Sequence, residues 1–221
     1  MQILVVSATE FEIKPFILSN FTSAGEGNTV DILITGVGIA SAIYRLTKAV
    51  LKKKYDVIIQ AGIAGTFTKK IKPGDVVYIE QDCFADIGAK VKGKIISLSD
   101  MGFEHRDEHP YINGWLVNPW QMPLNTSLRK ATGITIATIT DDKKHIKQLL
   151  KKLRPAVESM EGAALHYICL QQNIPFIQLR AISNKVGERD KRKWKIKKSI
   201  SDLNKELIKL INITVMNTKT L

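Results

Sequence analysis

The sequence predicts an α/β fold built on a mostly parallel sheet with helices covering it. Short runs rich in Val and Ile alternate along the chain with segments of helical period. Such runs are typical of buried parallel strands, and the alternation is typical of strand–helix–strand units. The 221 residues suffice for one well-cored domain, and no linker or repeat interrupts them. We therefore predict a single domain spanning residues 1–221.

The predicted helices and strands follow from the spacing of apolar residues along the sequence. Two amphipathic helices are expected at residues 10–19 and 41–54. A third begins near Ile196, where apolar residues spaced by three and four place one stripe on a helix face. Ser199 and Asp202 are a candidate capping pair near the start of this helix. The predicted strands share a short apolar run and cover residues 3–6, 31–35, 56–60, 75–79, 133–137, 156–159 and 176–180.

The composition is that of an ordinary globular protein, with 44% apolar and 24% charged residues. No apolar run reaches the roughly 18 residues of a membrane span. The first residues predict a strand rather than a signal peptide, since no basic segment precedes the apolar run. Cys83 and Cys169 have no metal-type spacing and predict buried free thiols in a reducing compartment. We therefore expect a cytoplasmic protein that does not contact the membrane.

The formal net charge of +12 raises the possibility of a nucleic-acid partner. Lys and Arg are, however, spread along the chain. The densest cluster, residues 189–198, contains Trp194 but no nucleic-acid-binding motif. We predict no nucleic-acid partner, and we expect the charge to form a solvated basic face or to attract an anionic small substrate.

Residues 101–126 lack a sustained period and contain two tryptophans and three prolines. A loop this long in a compact domain is usually functional or mobile, so this segment is a candidate lid. It includes His105 and His109, whose spacing would suit a two-His metal site on a helix. Pro110 and the irregular surroundings argue against that helix. We therefore predict no metal.

Two strand ends carry the main functional signal. Residues 157–164 predict a strand that enters a helix at Glu161, and residues 178–184 predict a strand that ends at Asn184. Ligands of open α/β sheets bind at the carboxyl edge of the strands, so we expect both side chains in one pocket. Glu161 could accept hydrogen bonds from two vicinal hydroxyls of a sugar, with the alternative of a first-turn acid that complements the helix dipole. Met160 would add a soft apolar contact.

Two glycine-containing segments also follow predicted strands. Gly36 and Gly38 could let the backbone approach a ligand, but the third glycine of the dinucleotide fingerprint is missing. Residues 61–66 are small enough for a flat ring to lie against the backbone. A tight turn is the alternative for both segments. Glu12, taken alone, is typical of an exposed acid at a helix start.

Taken together, these motifs resemble the purine nucleosidase and nucleoside phosphorylase superfamily. The resemblance rests on Glu12 and on segments 35–38 (TGVG), 61–65 (AGIAG), 73–77 (PGDVV), 160–164 (MEGAA) and 180–183 (RAIS). The nearest branch is the methylthioadenosine/S-adenosylhomocysteine nucleosidases. Within it the chain is most similar to the futalosine hydrolases, on segments 84–88, 101–103, 157–162 and 183–190.

The resemblance implies a three-layer α/β/α sandwich with a central mixed, partly barrel-like sheet. It also implies hydrolysis of an N-glycosidic bond without a cofactor. Glu12 matches the acid that activates the attacking water, and Arg180 matches an arginine that helps to hold this water. Asn184 matches the catalytic position that faces the base.

The resemblance also implies the substrate-binding residues. Glu161 matches the carboxylate that binds the ribose hydroxyls, with Met160 beside it. Ala64 and Gly65 match backbone that lines the base site. The family further implies a homodimer or a larger homo-oligomer.

Asn184 stands where the adenine-specific enzymes carry Asp. A carboxamide always offers both a donor and an acceptor, so it can donate to a 6-oxo group and accept from a protonated N7. Asn184 therefore fits hypoxanthine better than adenine. Because a carboxamide cannot supply a proton, we expect the proton on N7 to come from solvent.

The choice between hydrolysis and phosphorolysis depends on the segment after the first strand. Phosphate prefers arginine forks and no nearby anion, whereas residues 9–12 (TEFE) contain two acids and no arginine. These residues therefore favour hydrolysis. Together with the resemblance, this implies hydrolysis of futalosine to hypoxanthine and dehypoxanthine futalosine, in menaquinone biosynthesis. The predicted partner is a purine nucleoside with an anionic 5′ arm. The alternative enzyme is a methylthioadenosine/S-adenosylhomocysteine nucleosidase. A non-catalytic nucleoside-binding protein and a nucleic-acid-binding protein are the other classes.

Overall fold

The structure is a computed structural model that describes residues 1–19, 27–120 and 126–218. The helices are α1 (Glu10–Leu18), α2 (Ile39–Lys52), α3 (Lys143–Leu153), α4 (Gly162–Gln171) and α5 (Ile196–Thr218). The strands are β1 (Gln2–Ser7), β2 (Thr29–Ile34), β3 (Val57–Thr66), β4 (Val76–Asp82), β5 (Gly88–Val91), β6 (Lys94–Ser97), β7 (Leu116–Val117), β8 (Arg129–Thr135), β9 (Val157–Ser159) and β10 (Phe176–Lys185). Every strand predicted from the sequence is present, with shifted ends.

The main sheet is mixed and closes on itself. Its order is β10-β4-β8-β9-β3-β1-β2, and β10 also pairs with β3. Strands β3, β10, β4, β8 and β9 therefore form a closed ring, from which β1 and β2 extend as a parallel wing. The pairs β10–β4 and β3–β9 are antiparallel, whereas β1–β3, β3–β10, β4–β8 and β8–β9 are parallel. The predicted mixed, partly barrel-like sheet is confirmed.

Helices cover both faces of the wing and complete three layers. Successive side chains of a strand point to opposite faces. Accordingly, Ile3 and Val5 pack with the apolar residues of α1 and α5, and Leu4 and Val6 pack with those of α2 and α4. Three residues of the predicted stripe on α5, Leu203, Leu207 and Leu210, are buried in the first of these clusters.

The predicted capping pair of α5 is wrong. The Ser199 hydroxyl lies inside the first turns and donates to the carbonyls of Ile182 (2.7 Å) and Lys195 (2.9 Å). Asp202 forms an ion pair with Lys198 on the helix surface. Ser199 therefore anchors α5 to the end of β10 instead of capping the helix.

Other boundaries differ for physical reasons. The segment 61–66 continues β3 as regular strand, so the tight-turn alternative is wrong there. Helix α3 was missed, because its sequence is dominated by Lys and only one of its side chains, Leu149, is fully buried. The hairpin of β5 and β6 was also missed; it forms a separate two-stranded sheet in which no residue is fully buried.

The described part of segment 101–126 packs against the body of the protein. The Trp120 ring meets the Phe176 ring edge-on, with ring centroids 5.4 Å apart. Residues 121–125 of the segment lie outside the described residues. Within the described ranges, no helix is both long and apolar enough to cross a bilayer. Cys83 and Cys169 are buried and unpaired.

Candidate active site

The predicted strand ends meet at one cavity of about 360 Å³. Six of the seven predicted site residues line it, and these are Glu12, Ala64, Gly65, Met160, Glu161 and Asn184. The seventh, Arg180, lies behind the cavity wall. The cavity is bounded by the ends of β1, β3, β9 and β10 and by the beginnings of α1 and α5.

Glu12 is held by four hydrogen-bond donors. It is only 6% exposed, so its interpretation as an ordinary surface acid is wrong. The Thr9 amide (3.0 Å), the Thr9 hydroxyl (2.8 Å) and the Ser7 hydroxyl (3.3 Å) donate to Oε2. The Ile63 amide donates to Oε1 at 2.9 Å. Glu12 is the third residue of α1 and Thr9 precedes the helix, so the local sequence itself directs this carboxylate back toward β1 and β3.

Glu161 links β9 to α4 and is 5% exposed. Its Oε1 accepts a hydrogen bond from the Gly38 amide at 2.9 Å, and its Oε2 lies 3.8 Å from Nη1 of Arg180. Burial raises the pKa of Glu161, opposed by Arg180 and by the Gly38 amide. Gly38 has φ +94°, a conformation that favours glycine. The glycine-containing turn therefore brings its backbone to a site carboxylate.

Arg180 is fully buried in the middle of β10. Its Nη2 donates to Oε1 of Gln60 at 2.7 Å, and its Nε donates to Oε1 of Gln178 at 3.3 Å. Gly62 separates this guanidinium from Glu12. A Cβ added at Gly62 would collide with Nη1 of Arg180 and would lie 3.1 Å from Oε1 of Glu12. Arg180 thus approaches the two carboxylates from inside the sheet.

A buried polar network behind Arg180 was missed by the sequence analysis. Nε2 of Gln178 donates to Oδ2 of Asp82 at 3.0 Å, and the Thr135 hydroxyl donates to Oδ1 of Asp82 at 3.0 Å. Burial raises the pKa of Asp82 to about 7, although Arg180 opposes the rise. The signal was present in the sequence, since Gln60, Gln178 and Arg180 interrupt strands that are otherwise apolar.

The other end of the cavity is built around Gly65. Asn184 on β10 is one register partner of Gly65, and Glu158 on β9 is the other. Oδ1 of Asn184 accepts from the Ser183 hydroxyl at 2.7 Å, and its Nδ2 donates to the Lys185 carbonyl at 2.9 Å. The carboxamide keeps one N–H and one lone pair for a ligand. Glu158 had no assigned role in the sequence analysis, because its importance depends on the register of β9.

The titratable side chains that line the cavity are acidic. Its lining contains three acids, Glu12, Glu158 and Glu161, and no Lys or Arg among the described residues. The basic cluster 189–198 contributes Trp194, whose Nε1 donates to the Glu188 carbonyl at 3.0 Å. Arg192 and Lys193 in that cluster are exposed and form ion pairs with Asp190 and Glu188.

The described part of the candidate lid does not line this cavity. Among residues 101–120 and 126, none lines it. Arg106 and Gly114 line two other cavities instead. His105 and His109 are exposed, and no group of three potential metal ligands occurs in the described ranges.

Comparison with known proteins places this geometry in a family. The family model of the phosphorylase superfamily matches residues 3–215. The futalosine hydrolase of Streptomyces coelicolor is 30% identical over 190 residues, which cover 81% of this chain and 77% of the relative. The futalosine hydrolase of Thermus thermophilus is 27% identical over 184 residues, which cover 81% and 80%.

A solved structure shows the same fold. It is the 5′-methylthioadenosine/S-adenosylhomocysteine nucleosidase of Helicobacter pylori with butyl-thio-DADMe-Immucillin-A. It superposes with a TM-score of 0.80 at 16% identity and covers 96% of this chain and 98% of its own. The two chains therefore share the same overall fold. The chain therefore belongs to the phosphorylase superfamily.

Proposed function

We propose that this protein hydrolyses the N-glycosidic bond of futalosine and releases hypoxanthine. The observation that carries the proposal is the pair of buried carboxylates, Glu12 and Glu161, that face one cavity from different elements. The similarity to two futalosine hydrolases supports the choice of substrate. The enzyme is an N-glycosyl hydrolase in this proposal.

Glu12 activates the water. Its four donors fix the orientation of the carboxylate, which can then accept a proton from water as the water attacks C1′ of the ribose. General-base assistance of this kind contributes roughly 10²- to 10⁴-fold. Arg180 lies 3.8 Å from Glu161, and in the proposal it helps to orient the water.

Glu161 fixes the sugar. One oxygen is already bonded to the Gly38 amide, and the carboxylate has further lone pairs for the ribose hydroxyls. Met160 packs beside the sugar, and the backbone of Ala64 and Gly65 supports the base. Oxocarbenium character that develops on the ribose is stabilised by the nearby negative charge of Glu12 and Glu161.

Water is a better nucleophile for this cavity than phosphate. Three acids and no basic side chain are found among the described lining residues. A phosphate dianion would have to approach these carboxylates without an arginine fork, which is unfavourable. This argument supports hydrolysis within a superfamily whose name refers to phosphorolysis.

The alternative substrate class is the methylthio-nucleosides, and one observation favours it. The cavity has no described cation for an anionic 5′ arm, whereas exposed Phe11 and Val37 would suit an alkylthio arm. In the futalosine proposal, the benzoate arm passes these two residues and leaves its charge in solvent or near a neighbouring copy. Asn184 favours a 6-oxopurine and argues for futalosine.

The cellular setting is also a proposal. We propose a cytoplasmic enzyme that acts in menaquinone biosynthesis as a homodimer or larger homo-oligomer. The two buried free thiols and the family resemblance support this setting.

The deciding experiment is chromatographic detection of free base in phosphate-free buffer. Futalosine, inosine, methylthioadenosine and S-adenosylhomocysteine are tested in parallel with the wild type and with Glu12→Gln. Hypoxanthine from futalosine, lost in the variant, is the expected result. Adenine from the thio-nucleosides would establish the alternative, and no base from any substrate would contradict both.

A further inference from the structure

One buried acid in the cavity has no part in the mechanism described so far. Glu158 lies on β9, directly opposite Gly65 in an antiparallel pair, and Asn184 lies opposite Gly65 on the other side. Register partners on neighbouring strands project to the same face of a sheet. Glu158 and Asn184 therefore flank the glycine from its two sides, and both line the cavity.

The carboxyl of Glu158 is poorly satisfied by the protein. The residue is 7% exposed, and its buried Oε2 has no hydrogen-bond partner among the described residues. Buried polar atoms are nearly always bonded, so the Glu158 carboxyl has unused hydrogen-bonding capacity, and the residue itself lines the cavity.

Burial favours the protonated form of this carboxyl. Burial raises the pKa of Glu158 to about 7; the negative charge of Asp86 adds to the rise, and Arg189 opposes it. Oδ2 of Asp86 accepts hydrogen bonds from the amides of Ala137 (2.8 Å) and Thr138 (3.1 Å), and its buried Oδ1 has no partner among the described residues. The other charged groups that reach the cavity are the acids Glu12 and Glu161. When two neighbouring acids lie in unequal environments, one of them can hold a proton while the other is ionised.

The proposed hydrolysis needs such a proton carrier. A purine leaves readily only when a ring nitrogen is protonated, and the carboxamide of Asn184 cannot donate a proton of this kind. Glu12 and Glu161 are bound to donors and act as acceptors. Resting on the proposed function, we infer that Glu158 is the general acid that protonates the departing purine, in place of solvent.

The step balances in atoms and charge. The bond between C1′ and N9 breaks, and its electron pair moves into the purine. The Glu158 carboxyl gives its proton to a ring nitrogen of the base. Water bonds to C1′ and loses a proton to Glu12. Transfer of the Glu12 proton to solvent and of a solvent proton to Glu158 restores the enzyme, and the net reaction consumes one water.

The test is the pH dependence of kcat for futalosine between pH 5.5 and 9. It compares the wild type, Glu158→Gln and the matched control Glu206→Gln, which removes a carboxylate from the outer part of α5. A general acid must be protonated, so wild-type kcat is expected to fall as the pH rises above about 7. Glu158→Gln is expected to lose roughly 10²- to 10⁴-fold in kcat at pH 6, to change KM much less, and to lose the alkaline fall.

A stability measurement excludes a merely structural role. Because the pKa of Glu158 is raised by folding, the folded state loses stability as the pH rises from about 4.5 through about 7. Gln does not ionise, so Glu158→Gln should have a Tm at pH 8 equal to or above that of the wild type. A low kcat with an intact Tm supports the acid role.

Each other outcome has a defined meaning. If Glu158→Gln keeps kcat within threefold and the same pH profile, or changes only KM, Glu158 is not the acid. If the variant fails to fold, the pH dependence of the wild-type kcat is the test. A wild-type kcat that stays constant from pH 6 to 9 would overturn the inference. If the wild type releases no base from any nucleoside, the proposed function fails, which is a different result from an active wild type with an unaffected variant.

Discussion

The two ends of the cavity are built in different ways. At the sugar end, Glu12 has four donors, and Arg180 is held from inside the sheet by Gln60 and Gln178. At the base end, Asn184 bonds only to its chain neighbours, and an oxygen of Glu158 has no described partner. In the proposed function, a preorganised network positions the reacting groups at one end, while a few side chains with fewer protein contacts bind the base at the other.

Glu12→Gln should have the largest effect, because it disrupts catalysis at the sugar end. The amide cannot accept a proton from water, so kcat should fall roughly 10²- to 10⁴-fold with little change in KM. The measurement is steady-state release of base. The control is Glu10→Gln, which alters an exposed acid on the same helical turn and should keep full activity. A kcat within threefold of wild type would remove Glu12 from the mechanism.

Substitutions at two glycines of β3 test whether the two ends of the cavity act separately. Gly62→Ala should displace the Arg180 guanidinium and press on Glu12, and we expect kcat to fall roughly 100-fold, since small misplacements of catalytic groups are costly. Gly65→Ala instead places a methyl 3.0 Å from Cγ2 of Val186 at the base end. That change should raise KM for the nucleoside with a smaller effect on kcat. Equal kinetic effects of both substitutions would show that the ends are not separate.

Asn184→Asp tests the choice of base. The new side chain could donate to the Lys185 carbonyl only when protonated, whereas the present amide always donates to it. We expect selectivity, measured as the ratio of kcat/KM for methylthioadenosine and futalosine, to move toward adenine by about 10-fold, since one mismatched polar group costs about 1–3 kcal/mol. Asn212→Asp on the exposed face of α5 is the control. An unchanged ratio would refute our explanation of base choice.

Arg192→Ala should have the smallest effect. Arg192 is exposed and pairs with Asp190 on the surface, and such pairs contribute about 0–1 kcal/mol. We expect kcat/KM for futalosine to stay within twofold at low salt. A tenfold rise in KM for futalosine alone would instead identify the basic cluster as the site of the anionic arm.

The fold was largely predictable because its signals are local. Apolar runs and helical stripes are read residue by residue, and they identified every strand of the closed ring. Closure itself depends on the register of β3 against β10 and on β9, which has only three residues. Neither pairing follows from the hydrophobic pattern. Helix α3 was missed because Lys-rich segments with few buried residues have a weak signal.

The sequence predicted those site residues whose position follows from the local pattern of strands and helices. Glu161 follows a strand and precedes a helix, so its placement is evident from the sequence pattern. Glu12 was ambiguous by pattern, since exposed acids are common at helix starts, and only the family resemblance selected it. Glu158 could not be recognised in advance, because an unpartnered oxygen is a property of the folded environment.

The length of strand β3 between Gly62 and Gly65 also sets the distance between the two ends of the cavity. Gly62 marks the sugar end and Gly65 the base end, and three residues of extended chain span about 10 Å, which is close to the length of a nucleoside. An inserted residue would lengthen this interval by about 3 Å and turn the following side chains to the opposite face. In the proposed function, the geometry of the β3 backbone therefore sets the distance between the reacting groups and the base-binding residues. Substitutions at the base end can then change the preferred base without moving the reacting groups at the sugar end.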